Sequence, residues 1–87
     1  MDTITVRDQV IQILLENFER LSGDICPEHR IIQDLGLDSI EMVTLQIAIE
    51  DRFDFRFDPN FVDLAEVFYT VGSLINFLES NLNRNSP

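Results

Sequence analysis

The stretch DLGLDSI, residues Asp34–Ile40, marks the point where an irregular segment gives way to a helix. Within it, Asp38 lies three residues before Glu41, which is the spacing of a capping box. In a capping box, each of the two side chains accepts a hydrogen bond from the backbone N–H of the other residue. We therefore predict that Asp38 caps a helix and that Ser39 is its first residue.

The helix that follows is predicted to run from Ser39 to Phe53. Its apolar residues form two neighbouring stripes, one of Ile40, Val43 and Ile47 and one of Met42, Leu45, Ile49 and Phe53. This apolar surface is wider than a single core contact requires. The helix is therefore either the central one of the fold or meets something outside it.

Upstream, a first helix is predicted over Val6–Leu21, where apolar residues recur at steps of three and four. Thr5 or Thr3 would cap its start. Ser22-Gly23 would end it, because glycine readily adopts the left-handed conformation of a helix stop. Residues 24–37 then form a long loop, and we expect it to be ordered by the apolar anchors Ile25, Ile31, Ile32, Leu35 and Leu37.

Downstream, a short helix is predicted near Asp63–Phe68, and Asp58-Pro59 is another plausible helix start. Thr70 would cap a last helix with a core face of Val71, Leu74, Ile75, Leu78 and Leu82. No alternating apolar pattern indicates a sheet. The predicted fold is thus an all-α bundle of three main helices and one short helix, with the long loop between the first two main helices. Residues 1–82 would form one domain and residues 83–87 a disordered tail.

Charge and cysteine content narrow the possible partners and setting. The 87 residues contain 16 acidic and 6 basic side chains, a net charge of −10. Such a surface repels nucleic acid and favours basic patches on other proteins. Cys26 is the only cysteine, which precludes an intramolecular disulfide. Because the sequence shows no signal peptide and no apolar run of about 20 residues, we expect a cytoplasmic protein without a membrane span. We also expect it to be a monomer.

The stretch Asp34–Ile40 resembles the prosthetic-group attachment motif of the acyl carrier protein family. That motif has an aspartate-leucine-glycine start followed by Asp-Ser-Leu, and Ile40 stands here for the final leucine. The order of helices and loop, and Thr70-Val71-Gly72 before the last helix, also resemble the family. The resemblance implies that Ser39 carries covalent 4′-phosphopantetheine, added from coenzyme A by a Mg²⁺-dependent phosphopantetheinyl transferase. The thiol of this arm would hold intermediates of fatty-acid, polyketide or related biosynthesis as thioesters.

A serine at a helix start suits this modification on physical grounds. The hydroxyl is accessible there, and the phosphodiester is an anion next to free backbone N–H groups. The helix dipole stabilises an anion at such a place by about 0.3–1 kcal/mol. An unmodified serine is also common at helix starts, so the flanking motif is what favours attachment.

The same resemblance implies that the helix after Ser39 meets basic docking patches on acyl-transferring and acyl-modifying enzymes. The candidate docking residues are Asp38, Ile40, Glu41, Met42, Glu50 and Asp51. Each acid is equally compatible with an ordinary solvated helix face. Thr44 and Gln46 depart from the fatty-acid type, and Arg52 interrupts the acidic run. These departures favour a specialised pathway.

Other functions fit the residues less well. Ser39 lacks the glycines of a nucleophile elbow, and His29 and Cys26 are better explained as loop residues than as a catalytic or metal pair. We expect neither an enzyme nor a metal site. The region Asp54–Asn60 lacks the ligand pattern of a calcium loop. An aminoacyl or peptidyl carrier, which usually has glycines before the serine, and an unmodified acidic interaction module stay open as alternatives.

Overall fold

The computed structural model describes residues 5–21 and 24–84, with side chains through residue 81. Four helices follow in order: α1 at Val6–Asn17, α2 at Ser39–Phe53, α3 at Leu64–Val67 and α4 at Val71–Arg84. The all-α prediction, with three main helices, one short helix and a long connection between the first two, is confirmed. Across the described ranges, the one β-type contact is an isolated bridge between Arg30 and Thr70.

Three of the predicted helix starts are formed by local hydrogen bonds. The Thr5 hydroxyl accepts a hydrogen bond from the Asp8 N–H at 3.0 Å, so Thr5 caps α1. The Asp63 carboxylate accepts from the Ala65 N–H at 3.1 Å and caps α3. At the start of α4, the Thr70 hydroxyl accepts from the Ser73 N–H at 2.9 Å. Such bonds satisfy the N–H groups that have no partner inside the helix.

The predicted end of α1 at Leu21 is wrong. Helix α1 ends at Asn17, because Phe18 turns into an extended conformation with φ −130° and ψ 93°. The apolar spacing in the sequence extends to Phe18 because this side chain is buried in the core, although its backbone already belongs to the loop after α1. This loop carries Arg20 toward the start of α2. The predicted stop at Ser22-Gly23 lies outside the described residues.

The long connection, residues 24–37, is ordered by the burial of its apolar side chains and by backbone hydrogen bonds to residues at the start of α4. Four of its predicted anchors are buried, namely Ile25, Ile31, Leu35 and Leu37. The prediction was wrong for Ile32, whose side chain is 58% exposed. The Ile31 N–H donates to the Tyr69 carbonyl at 3.0 Å, and the Gly72 N–H donates to the Pro27 carbonyl at 2.8 Å. A Cβ at position 72 would lie 3.0 Å from that Pro27 oxygen, so glycine permits this close approach.

The core lies between α1, α2 and α4. Its fully buried side chains are Val10, Ile13, Leu14, Ile31, Leu45, Ile49, Val71, Leu74 and Leu78. Phenylalanines from the segment after α2 extend this core: Phe57 packs edge-on against Phe68 at a ring distance of 5.2 Å and stacks on Phe77 at 5.6 Å. Asp58 begins a turn and not a helix, since the Phe61 N–H donates to its carbonyl.

The end of α4 differs from the sequence-based expectation. The helix includes residues 83 and 84, for which the sequence predicts a disordered tail. Residues 85–87 of that tail, and the side chain of the predicted core residue Leu82, lie outside what the structure describes.

Candidate functional site

Ser39 is exposed at the first position of α2. The predicted capping box is complete: the Glu41 N–H donates to Asp38 Oδ1 at 2.8 Å, and the Asp38 N–H donates to Glu41 Oε1 at 3.1 Å. Just before it, Gly36 has φ +75°, in the left-handed region that favours glycine. The local sequence therefore holds Ser39 at an accessible helix start.

Arg20 joins this segment from the loop after α1. Its Nη1 and Nη2 atoms each lie 2.6 Å from an oxygen of the Glu41 carboxylate. Nη2 also donates to the Gly36 carbonyl oxygen at 2.9 Å. The hydrogen bond from Arg20, followed by that from the Asp38 N–H, lowers the pKa of Glu41 to about 2. Sequence reasoning missed Arg20, whose only signal in the sequence is its charge.

Asp34, the first residue of the motif, closes the turn that precedes Gly36. Its Oδ2 accepts a hydrogen bond from the Arg30 N–H at 2.7 Å and lies 3.4 Å from Arg30 Nε. The backbone hydrogen bond, then the side-chain bond, lowers the pKa of the Asp34 carboxyl. Asp34 therefore shapes the loop that leads to Ser39.

The predicted docking residues differ in how they are exposed and bonded. Ile40 and Asp51 are exposed, and Asp38 is exposed although its carboxylate caps α2. Glu41, Met42 and Glu50 are half-buried. Glu50 Oε2 accepts a hydrogen bond from the Phe57 N–H at 2.9 Å, which ties it to the segment after α2. Glu41 and Glu50 are thus engaged within the chain.

An exposed row, here called the apolar stripe, runs along α2. It consists of Ile40, Val43 and Ile47, which are 78%, 55% and 55% exposed. The second predicted stripe faces inward, with Leu45 and Ile49 fully buried. The wide apolar surface predicted for α2 therefore divides into a core face and an outward face.

Two residues that depart from the fatty-acid type have different roles. Thr44 is exposed, and its hydroxyl donates to the Ile40 carbonyl at 3.2 Å within α2. Arg52 points to α1, where Nη2 lies 3.1 Å from Glu16 Oε1 and Nη1 lies 3.4 Å from Gln12 Oε1. Arg52 therefore links two helices.

A cavity of about 410 Å³ opens between α2, α3 and the long connection. Its lining residues are Arg30, Ile32, Gln33, Met42, Val43, Gln46, Leu64, Ala65, Phe68 and Tyr69. Met42 and Val43 stand about one helical turn beyond Ser39. The sequence had no signal for this cavity, because its walls come from three separate segments.

His29 and Cys26 meet in the long connection, where His29 Nδ1 accepts a hydrogen bond from the Cys26 N–H at 3.0 Å. The Cys26 thiol is free and exposed. In the described part of the chain, no group of three or more His, Cys, Asp or Glu side chains is arranged to hold a metal ion. Nor is any helix among these residues long and apolar enough to cross a membrane.

The residues present fit a covalently attached phosphate-linked group. The Ser39 side chain is open to solvent, and the first N–H groups of α2 point toward the same end of the helix. A phosphodiester there would be an anion at the positive end of a helix of 15 residues.

Comparison with known proteins identifies the family. Residues 8–78 match the family model described as "Phosphopantetheine attachment site". The acyl carrier protein of Sulfurovum sp. is 32% identical over 84% of this chain and 93% of its own length. That of Wolinella succinogenes is 26% identical over 90% of this chain and 99% of its own length.

A solved structure is similar as well. The match is to a chain in the crystal structure of Bradyrhizobium japonicum glycine:[carrier protein] ligase complexed with glycylated carrier protein. The TM-score is 0.64 at 27% identity, and the match covers 82% of this chain and 96% of that chain. Together these matches show that the chain belongs to the acyl carrier protein family, and its cofactor is that family's covalent 4′-phosphopantetheine.

Proposed function

We propose that this protein carries acyl intermediates on a phosphopantetheine arm attached to Ser39. The observation that supports the assignment is the exposed Ser39 hydroxyl at the first position of α2, directly after the motif residues Asp34–Asp38. The arm supplies a terminal thiol that holds the cargo as a thioester. The chain itself acts as acceptor and shuttle and not as an enzyme, while a phosphopantetheinyl transferase and acyl-transferring enzymes perform the chemistry.

For the cargo, we favour an acyl chain of fatty-acid, polyketide or related biosynthesis. Leu37 and Asp38 precede Ser39, where aminoacyl carriers usually have glycines. The cavity beside α2 has apolar walls from Met42, Val43 and Phe68, which suit a hydrocarbon chain better than a glycyl group. The second candidate is an aminoacyl carrier, which the similarity to a structure containing a glycylated carrier protein favours.

For the partners, we propose enzymes with an apolar contact bordered by basic side chains. The apolar stripe supplies exposed hydrophobic area on α2, and the exposed acids Asp38 and Asp51 lie near its two ends. Glu41, Glu50 and Met42 would contribute less directly, because they are half-buried. A net charge of −10 disfavours nucleic acid as a partner, and we expect a cytoplasmic monomer.

Intact mass tests the attachment site. The full chain is incubated with coenzyme A, Mg²⁺ and a broad-specificity phosphopantetheinyl transferase. We expect wild type and the control Ser80→Ala, at an exposed serine on α4, to gain the mass of one phosphopantetheine, and Ser39→Ala to gain none. Circular dichroism checks that all three fold alike. A Ser39→Ala variant that still gained the arm would refute the site, and an unmodified wild type would favour the interaction-module alternative.

The cargo is tested on protein purified from its native host. A mass on Ser39 equal to the arm plus an acyl group supports the proposal. The arm plus glycine or another amino acid supports the second candidate instead.

A further inference from the structure

The segment around Ser39 is held mainly by hydrogen bonds on its exposed side. Leu35 and Leu37 are buried and fix the approach to it, but the side chains of Asp38, Ser39 and Ile40 are all exposed. Packing therefore cannot determine the conformation at Ser39 by itself.

Arg20 supplies the missing constraint from another part of the chain. Its guanidinium contacts the Gly36 carbonyl on the N-terminal side of Ser39 and the Glu41 carboxylate on the C-terminal side. Glu41 is in turn bonded to the N–H of Asp38, the residue next to Ser39. One side chain thus joins both flanks of the serine.

From this geometry we infer that Arg20 is a positioning residue for the modification of Ser39, and that it holds the acceptor segment in the conformation the transferase recognises. The inference rests on the proposed attachment at Ser39. It also makes Glu41 a weaker docking residue, since both oxygens of its carboxylate already face Arg20.

The arrangement requires arginine in particular. A guanidinium presents two parallel N–H groups to a carboxylate and has a further donor for the Gly36 carbonyl, whereas a lysine ammonium is a compact point charge. Without the fork, the acceptor segment samples other conformations. The apparent affinity for the transferase is then lowered in proportion to the fraction of molecules that hold the competent conformation.

The test measures phosphopantetheine transfer to the full chain, with coenzyme A and Mg²⁺, well below the melting temperature of every variant. We expect Arg20→Gln to raise KM for the carrier about fivefold, the upper range for an exposed ion pair, while kcat stays within about twofold. Arg20→Lys should raise KM less. The matched control Arg7→Gln removes the same charge from an exposed position on α1 and should leave KM unchanged.

A second readout follows the segment itself. Hydrogen exchange at the Asp38 amide should be faster in Arg20→Gln than in wild type or Arg7→Gln, because its acceptor Glu41 is no longer held. A role limited to global stability would leave KM unchanged under conditions where all variants are folded, and would speed exchange at core amides as well as at this one. If Arg20→Gln does not fold, the same KM comparison is made with two other variants to test the role of Arg20. These are Arg20→Lys and Glu41→Gln, the second of which breaks the charge pair from the other side.

Unchanged KM in Arg20→Gln, a rise of equal size in Arg7→Gln, or a loss confined to kcat would overturn the inference. Failure of the proposed function is distinguishable, because then wild type itself would gain no arm at Ser39.

Discussion

Glu41 accepts two hydrogen bonds from Arg20 and one from the Asp38 N–H, and its own N–H donates to Asp38. The sequence predicts Glu41 both as a capping residue and as a docking acid. The capping prediction is confirmed. The bonds to Arg20 make Glu41 part of the scaffold around Ser39, because a carboxylate already paired to a guanidinium is a poor target for a partner's basic residue.

The lowered pKa of Glu41 predicts a pH-dependent contribution to stability. The pKa of about 2 in the folded protein lies below the ordinary value of 4.5. The stabilisation that ionised Glu41 provides is therefore present above pH 4.5 and is lost as the pH falls through about 2. The melting temperature of Glu41→Gln should therefore lie below that of wild type near neutral pH, and the gap should close between these two pKa values. Thermal unfolding followed by circular dichroism across this range measures the gap. Glu79→Gln, at an exposed position on α4, is the control for loss of one negative charge, and a Glu41→Gln gap that stays constant would contradict the prediction.

Among the helices, α2 has three faces with different surroundings. Leu45 and Ile49 pack into the core, the apolar stripe faces solvent, and Arg52 pairs with Glu16 of α1. An acid in place of Arg52 would face Glu16 and disturb the contact between α1 and α2. Thr44 is the cleaner position for testing docking, since it is exposed and its hydroxyl bonds only within its own helix.

The specialised pathway proposed from the departures in α2 can be tested at Thr44. An added acid should strengthen docking to basic patches that recognise a more acidic helix. One exposed charge pair contributes about 0.2–1 kcal/mol, so Thr44→Glu should improve use by a bacterial fatty-acid synthase up to about fivefold. Elongation of a loaded acyl group measures this, with Thr44→Gln as the control of similar size. Equal rates for the two variants, or a wild type that already matches a housekeeping carrier, would contradict the proposal.

At the scale of the whole molecule, acidic charge dominates. Sixteen acidic residues face six basic ones, all of them arginines. Among the residues that the structure describes with side chains, Arg20, Arg30 and Arg52 form ion pairs with carboxylates. Exposed pairs contribute little, and the net charge of −10 still repels itself over the whole surface.

We therefore predict that salt stabilises the protein. Raising NaCl from about 0.01 M to about 0.15 M shortens the screening length from about 30 Å to about 8 Å and should raise the melting temperature. A variant with Glu19, Glu28 and Glu79, all exposed, changed to Gln should show a smaller rise. A melting temperature that fell with salt in wild type would mean that the ion pairs outweigh the repulsion.

Features that depend on residues three or four positions apart were predictable from the amino-acid sequence. The capping box of Asp38 and Glu41, the bounds of α2 and the exposed position of Ser39 follow from local hydrogen bonds whose donors and acceptors are close along the chain. Much of the candidate site was therefore predictable, including the residue proposed to carry the arm.

Which charged and apolar groups meet across the fold depends on tertiary packing and was not predictable from local sequence. Arg20 and Glu41 are 21 residues apart, and Arg52 and Glu16 are 36 apart, so nothing in the local pattern pairs them. Packing between distant segments also determines three further features, namely the early end of α1, the exposure of Ile32 and the cavity beside α2. Each depends on how separate segments pack, because contacts between distant parts of the chain form only when burial of apolar side chains brings those parts together.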